Sequence, residues 1–187
     1  VFRLSPPGFE RLFQSPVLSA TFGGGEANVA VSLAHFGLDS RYVTRVPANA
    51  AGDAAVSALR AEGVDVAGIL RGGERLGIYF AETGASQRAG NVIYDRAGSA
   101  IAGTNPGTFD WPRLLDGAAW FHVTGITPAL GPEVAQATKD AVEAARAAGA
   151  RVSLDLNYRR KLWTEREAQA VMRPLAACAH VLVANEE

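Results

Sequence analysis

From Ala119 onward, apolar runs and helical segments alternate with a repeat of about thirty residues, the length of a strand–helix–strand crossover. Ala119-Trp-Phe-His-Val-Thr124, Arg151-Val-Ser-Leu-Asp-Leu156 and His180-Val-Leu-Val-Ala184 read as strands. Pro132 to Ala148 carries Val134, Ala135, Thr138, Val142 and Ala145 at helical spacing and stops at Gly149, and Glu165 to Ala177 reads as a second helix. Strands joined by crossovers of this length should run parallel. The pattern predicts an α/β fold built on a mostly parallel sheet.

The first half is less regular. Glu26 to Phe36 reads as a helix stopped by Gly37, and Asp53 to Glu62 as a helix stopped by Gly63. Arg41 to Val46 and Val64 to Leu70 read as strands. Between Arg75 and Ala102 the helical period vanishes. Leu76-Gly-Ile-Tyr-Phe-Ala-Glu82 and Asn91-Val-Ile-Tyr-Asp-Arg96 alternate like antiparallel strands, joined through the turn-prone Thr83-Gly-Ala-Ser-Gln. A hairpin inserted in an α/β chain often covers a binding site. No internal repeat or low-complexity segment interrupts the pattern.

Composition narrows the function classes. With 187 residues the chain is large enough for a packed core, and 48% hydrophobic against 20% charged residues excludes disorder. Eighteen Lys and Arg against nineteen Asp and Glu leave a net charge of −1, so no basic field points to nucleic acid or an anionic membrane. No apolar run reaches the roughly 18 residues of a membrane span. The single Cys178 excludes an internal disulfide framework and fits a cytoplasmic setting. Three scattered histidines form no zinc pattern, and His35, His122 and His180 read as structural. Trp111, Trp120, Trp163 and Cys178 read as packing residues. Val1 opens without a Met, and the 180–184 strand is followed by a helix-start signal, so the sequence reads as part of a longer protein.

In open parallel sheets ligands bind beyond the carboxyl ends of the strands. The residues there are Gly125-Ile126-Thr127, Asn157-Tyr158-Arg159 and Asn185-Glu186-Glu187. Asn and Arg can donate hydrogen bonds toward an anion, although Asn157 and Asn185 are also good helix caps. Phe22-Gly23-Gly24-Gly25-Glu26-Ala27-Asn28 opens a helix, and such glycines admit a ligand close to the backbone. Gly23-x-Gly25 begins like a dinucleotide fingerprint, but Asn28 stands where the third glycine belongs. Asn28 both donates and accepts, which suits a polyol. Tyr94 and Arg96, two apart on one strand, share a face, and Asp95 points the other way. With Tyr79 they suit a hydroxylated acid, or else form a solvent-facing cross-strand pair. Arg75 and Arg88 read as solvated turn charges.

Together these stretches resemble the ribokinase-like (PfkB) carbohydrate kinases, in particular the ketodeoxygluconate branch. The resemblance runs through Gly23-Gly-Gly-Glu-Ala-Asn28-Val-Ala-Val, Gly77-Ile-Tyr79-Phe, Tyr94-Asp-Arg96-Ala-Gly-Ser-Ala100, His122-Val-Thr-Gly-Ile126-Thr-Pro-Ala-Leu130 and Asp155-Leu-Asn157-Tyr-Arg159-Arg-Lys-Leu-Trp163. It implies a three-layer α/β/α fold with a small β lid formed by about residues 4–22 and 74–102. It also implies ATP-dependent phosphorylation of 2-keto-3-deoxygluconate at its terminal hydroxyl, with Mg²⁺ as the accompanying ion. Gly24, Gly25, Glu26, Ala27 and Asn28 would hold sugar hydroxyls. Tyr79, Tyr94, Asp95, Arg96, Ile126 and Arg159 would complete the substrate pocket. Asn157, Tyr158, Arg159 and Asn185 would face the ATP phosphates. The family's Gly-Ala-Gly-Asp segment, with its general-base Asp, would follow Glu187, as would the adenine site, so the chain alone should bind the acid without turning it over. The family's opening strand reads as trimmed here. Related sugar kinases acting on 5-dehydro-2-deoxygluconate, fructose or ribose, and a non-catalytic sugar-acid-binding domain, are the alternatives. The exposed apolar residues Ile78, Phe80 and Val92 of the lid suggest edge pairing with a second copy.

Overall fold

The computed structural model describes residues 1–185, which form two compact units, one of residues 1–102 and one from residue 103 onward. In the first unit β1 (Phe2–Ser5), β2 (Ser19–Phe22), β5 (Ile78–Glu82) and β6 (Asn91–Asp95) make one four-stranded sheet in the order β2-β1-β5-β6. β1 pairs antiparallel with β2 and parallel with β5, and β5 pairs antiparallel with β6. The register opposes Phe2 to Ile78, Leu4 to Phe80 and Phe80 to Ile93, so these apolar side chains share a face. Phe2 stacks on Phe22 at 5.2 Å, and Phe13 meets Phe80 at 5.4 Å. The opposite face carries Tyr79 against Tyr94 and Ala81 against Val92. Ile78 and Phe80 therefore do not share a face with Val92, and β5 is an interior strand. Strand alternation, which a list of apolar residues ignores, separates them.

The rest of the first unit comprises α1 (Gly25–His35), β3 (Thr44–Val46), α2 (Ala50–Ala61) and β4 (Ile69–Arg71), with β3 and β4 paired in parallel. The expected strand over 64–70 is mostly turn, because only 69–71 pairs with β3 beyond the isolated Arg41–Asp65 bridge. α2 starts three residues earlier than its apolar pattern suggests. The Asn49 side chain caps it by accepting the Gly52 N–H at 3.1 Å.

The second unit follows the thirty-residue pattern closely. α3 (Trp111–Leu114) precedes β7 (Trp120–Thr124), α4 (Pro132–Ala147), β8 (Arg151–Asp155), α5 (Glu165–Cys178) and β9 (Val181–Val183). All three strands are parallel, in the order β7-β8-β9. Val123, Val152 and Leu154 pack with Val142 and Ala145 of α4 and Met172 and Leu175 of α5 into one core. α4 buries Ala137 and Ala141 as well as the expected Val134, Thr138, Val142 and Ala145, while Ala135 is only half-buried. Small alanines let the helix lie close to the sheet. Cys178 is half-buried beside this core, and Trp120 is exposed, its ring 4.5 Å from the Arg151 guanidinium carbon. None of the described helices is long and apolar enough to cross a membrane.

Candidate functional site

Two groups of candidate residues stand out, one in each unit. In the first, Gly24 precedes α1 with φ +145° and ψ 149°, a conformation essentially reserved for glycine. This abrupt entry leaves the first turn of α1 open beside the sheet. A Cβ placed on Gly23 would lie 3.4 Å from the Tyr79 hydroxyl and 3.7 Å from Asn28 Oδ1. The glycine turn, the α1 carboxamide and the β5 phenol thus converge, with Asn28 exposed. Gly23 was not among the expected contacts. The triple-glycine run held the signal, but only the fold shows which glycine faces the phenol.

Tyr79 lies opposite Tyr94 in the β5–β6 ladder, with ring centroids 6.2 Å apart. The Arg96 guanidinium carbon stands 4.3 Å from the centre of the Tyr94 ring, a cation–π arrangement rather than a solvated charge. Val1 and Gly23 face each other across the turn: the Val1 nitrogen donates to the Gly23 carbonyl at 2.9 Å, and the Gly23 N–H donates to the Val1 carbonyl at 3.0 Å. Glu26, in the first turn of α1, helps raise the pKa of half-buried Tyr42, after burial itself and against a hydrogen bond with Thr44.

Asp95 does not join this group. Its carboxylate oxygens accept from Arg75 Nη1 at 2.8 Å and Nη2 at 2.5 Å, on the side away from Tyr94. As the two-residue alternation implies, Asp95 turns its carboxylate away from Tyr94 and Arg96, and Arg75 is an anchored fork instead of a solvated turn charge. Arg88 is no solvated turn charge either. It pairs with Glu82 and donates to the Phe9 carbonyl at 2.6 Å.

In the second unit the parallel register puts Thr124, Asp155 and Val183 in one row across the sheet. Ile126, Asn157 and Asn185 each follow that row by two residues, so the carboxyl ends of all three strands carry them at one edge. Gly125 makes this possible, since a Cβ there would lie 2.2 Å from the Leu156 carbonyl oxygen. The Gly125 N–H donates to the Asp155 carbonyl at 2.8 Å. Asn157 adopts φ +39°, a left-handed conformation that Asn tolerates, and its N–H donates to Asp155 Oδ1 at 3.0 Å. The helix-cap alternative for Asn157 fails, because Thr164 caps α5 in a reciprocal box with Glu167. Tyr158 turns its hydroxyl back onto the Trp163 carbonyl at 3.4 Å, and half-buried Arg159 donates to the Tyr158 carbonyl at 3.3 Å. Asn185 is exposed; Glu186 and Glu187, the rest of that strand-end reading, lie outside the described residues.

Each histidine meets a polar partner. His35 bonds Glu62 at 2.8 Å, His122 Nδ1 bonds the Ser153 hydroxyl at 3.0 Å, and His180 Nδ1 accepts the Val152 N–H at 2.9 Å. Among the described residues, no three His, Cys, Asp or Glu side chains gather to hold a metal ion.

Comparison with known proteins agrees with this geometry. The profile of the family described as pfkB family carbohydrate kinase matches residues 9–187. The 2-dehydro-3-deoxygalactonokinase of Haloferax volcanii is 35% identical over the whole chain, which covers 58% of that protein. The 2-dehydro-3-deoxygluconokinase of Bacillus subtilis is 31% identical over 82% of the chain and 48% of that protein. The crystal structure of 2-dehydro-3-deoxygluconokinase from Thermotoga maritima superposes with a TM-score of 0.97 and 53% identity, over 99% of this chain and 57% of that one. The chain spans about half the length of these relatives. With a matching profile across nearly all its residues and the ribokinase-like α/β elements in place, the chain belongs to the pfkB family of carbohydrate kinases.

Proposed function

We propose that this chain carries the sugar-acid-binding part of an ATP-dependent kinase that phosphorylates 2-keto-3-deoxygluconate on its terminal hydroxyl. The observation that carries this reading is the grouping of Arg96, Tyr94, Tyr79 and Asn28 around the Gly23–Gly25 turn. A guanidinium recognises a carboxylate with charge and direction, while phenols and a carboxamide exchange hydrogen bonds with hydroxyls. A guanidinium in the site favours an acid over a neutral sugar. The names of the relatives, deoxy-keto sugar-acid kinases, support the same substrate class.

Phosphoryl transfer from ATP depends on positioning and on neutralising spread negative charge. The residues of this chain assigned to the phosphates are Asn157, Tyr158, Arg159 and Asn185, at the strand ends where parallel sheets receive anions. Arg159 is the cation among them. Mg²⁺ ordinarily travels with the nucleotide phosphates and few protein groups. The four-stranded sheet of residues 2–22 and 78–95 acts as the lid that excludes water. The free Cys178 and the use of ATP support a cytoplasmic setting. The apolar face carrying Phe2, Phe80 and Ile93, with β6 at the sheet edge, supports association with a second copy, which size-exclusion chromatography of the full-length protein tests.

The decisive experiment assays the full-length protein against 2-keto-3-deoxygluconate, its C4 epimer 2-keto-3-deoxygalactonate, 5-dehydro-2-deoxygluconate, fructose and ribose. Turnover confined to the acids, with Arg159→Ala lowering kcat by about 10²-fold, is the expected result. Preference for fructose or ribose overturns the acid reading, and binding without ATP consumption identifies a non-catalytic domain.

A further inference from the structure

We propose that Arg75 is a positioning residue for Arg96: it fixes the turn after β6 so that the guanidinium of Arg96 faces the acid. The inference rests on the proposed acid-binding role of Arg96. β6 ends at Asp95, so Arg96 follows the last ladder pair. Arg75 makes four hydrogen bonds to the residues on either side of Arg96. Its Nη1 donates to Asp95 Oδ1 at 2.8 Å and to the Ala97 carbonyl at 2.9 Å. Its Nη2 donates to Asp95 Oδ2 at 2.5 Å and to the Asp95 carbonyl at 3.3 Å. One planar fork therefore holds the residues on both sides of Arg96. The Asp95 carboxyl sits below its usual pKa range because Arg75 hydrogen-bonds its charged form.

The geometry converts this clamp into orientation. In extended chain, neighbouring side chains point to opposite faces. Pulling Asp95 toward Arg75 therefore turns Tyr94 and Arg96 the other way, toward the Tyr79 phenol. The backbone closes the same turn from behind. The Ala100 N–H donates to the Arg75 carbonyl at 2.8 Å, the Ser99 N–H donates to the Arg96 carbonyl at 3.2 Å, and Ser99 and Ala100 are both 3% exposed. A Cβ on Gly77 would stand 3.5 Å from Arg96 Cγ, so the stem of Arg96 runs close along the Gly77 backbone.

The Arg75 and Asp95 side chains are 34% and 49% exposed, and exposed ion pairs add little to global stability. The pair is placed to govern direction, which needs the two-pronged donor that Lys lacks. In the full-length protein, Arg75→Ala and Arg75→Lys should each raise KM for 2-keto-3-deoxygluconate by roughly 10-fold, since small displacements of a binding group are costly. KM for ATP and the melting temperature should stay close to the parent. In an Arg96→Ala background, Arg75→Ala should add nothing further. An unchanged acid KM in Arg75→Ala, or an equal rise with and without Arg96, overturns the proposal. Should Arg96→Ala itself leave the acid KM unchanged, the binding role of Arg96 fails instead. The ¹⁵Nε resonance of Arg96 then still decides on positioning: it should move in Arg75→Ala, and an unmoved line refutes the clamp.

Discussion

The guanidinium of Arg96 lies over the ring of Tyr94, 4.3 Å from its centre, on the sheet face that also presents Tyr79. The ring holds the charge by its face. Arg96→Ala should raise KM for the sugar acid by about 10- to 100-fold, the size of a lost charged hydrogen bond. Tyr94→Phe keeps the aromatic face and should cost far less than Tyr94→Leu. Steady-state kinetics on the full-length protein tests the series. Equal effects of the Phe and Leu substitutions would show that the ring face does not hold Arg96.

Gly24 sets where α1 begins, and with it the position of Asn28, whose N–H bonds the Gly24 carbonyl at 2.8 Å. At φ +145° an alanine is strained by roughly 1–3 kcal/mol. Gly24→Ala should lower stability by that amount and weaken acid binding as well. Gly8, at φ +52° with open space around its Cα, supplies the control. Gly8→Ala should destabilise by about 1–2 kcal/mol while leaving KM unchanged. Urea denaturation and kinetics separate the two. Unaltered acid binding in a destabilised Gly24→Ala protein would remove this turn from the site.

The parallel second unit could be read from residue order alone, since its strands and helices are each regular and the thirty-residue spacing admits little else. The strand-end row of Ile126, Asn157 and Asn185 followed from the same rule. Tyr94 with Arg96 was legible because two-residue spacing fixes a shared face. What escaped depended on partners distant in sequence. Arg75 meets Asp95 twenty residues on, and Arg88 reaches Phe9 across 79, so neither pairing leaves a local pattern. The face assignment of Val92 against Ile78 required the hairpin register. The short β4 was misjudged because Val64 to Leu70 is apolar enough for a strand, yet Val64 is buried by side-chain packing without ladder pairing.

Glu82 connects the hairpin to the loop after β1. One carboxylate oxygen accepts the Leu12 N–H at 2.9 Å, and the other pairs with Arg88. The two side chains are only 11% and 25% exposed. Removing one partner from such a pair leaves a charge in poor solvent, at a cost of about 3 kcal/mol or less where water still enters. Arg88→Leu should therefore lower the urea midpoint clearly. Adding Glu82→Gln, which removes the stranded charge but keeps an acceptor for Leu12, should restore part of the loss. Additive losses would mean that the two charges do not interact.

Three carboxyls are held below their ordinary pKa by hydrogen bonds to the charged form, and together they predict how stability responds to acid. Asp65 accepts the Ala67 N–H and then the Arg41 guanidinium; Asp95 accepts from Arg75; Glu167 accepts first the Thr164 N–H and then its hydroxyl. For each, the folded chain binds the proton less readily than the unfolded chain. The unfolded state therefore takes up more protons near pH 4, and stability rises with pH there. These contributions are present above about pH 4 and disappear as the pH falls through the lower folded values. The Asp65→Asn/Glu167→Gln double variant should thus be less stable than the parent at pH 7, and the gap should close as the pH drops toward the folded pKa values. Urea midpoints measured at intervals from pH 7 down test this. A gap of constant size across the series would mean that the two side chains act through shape rather than charge.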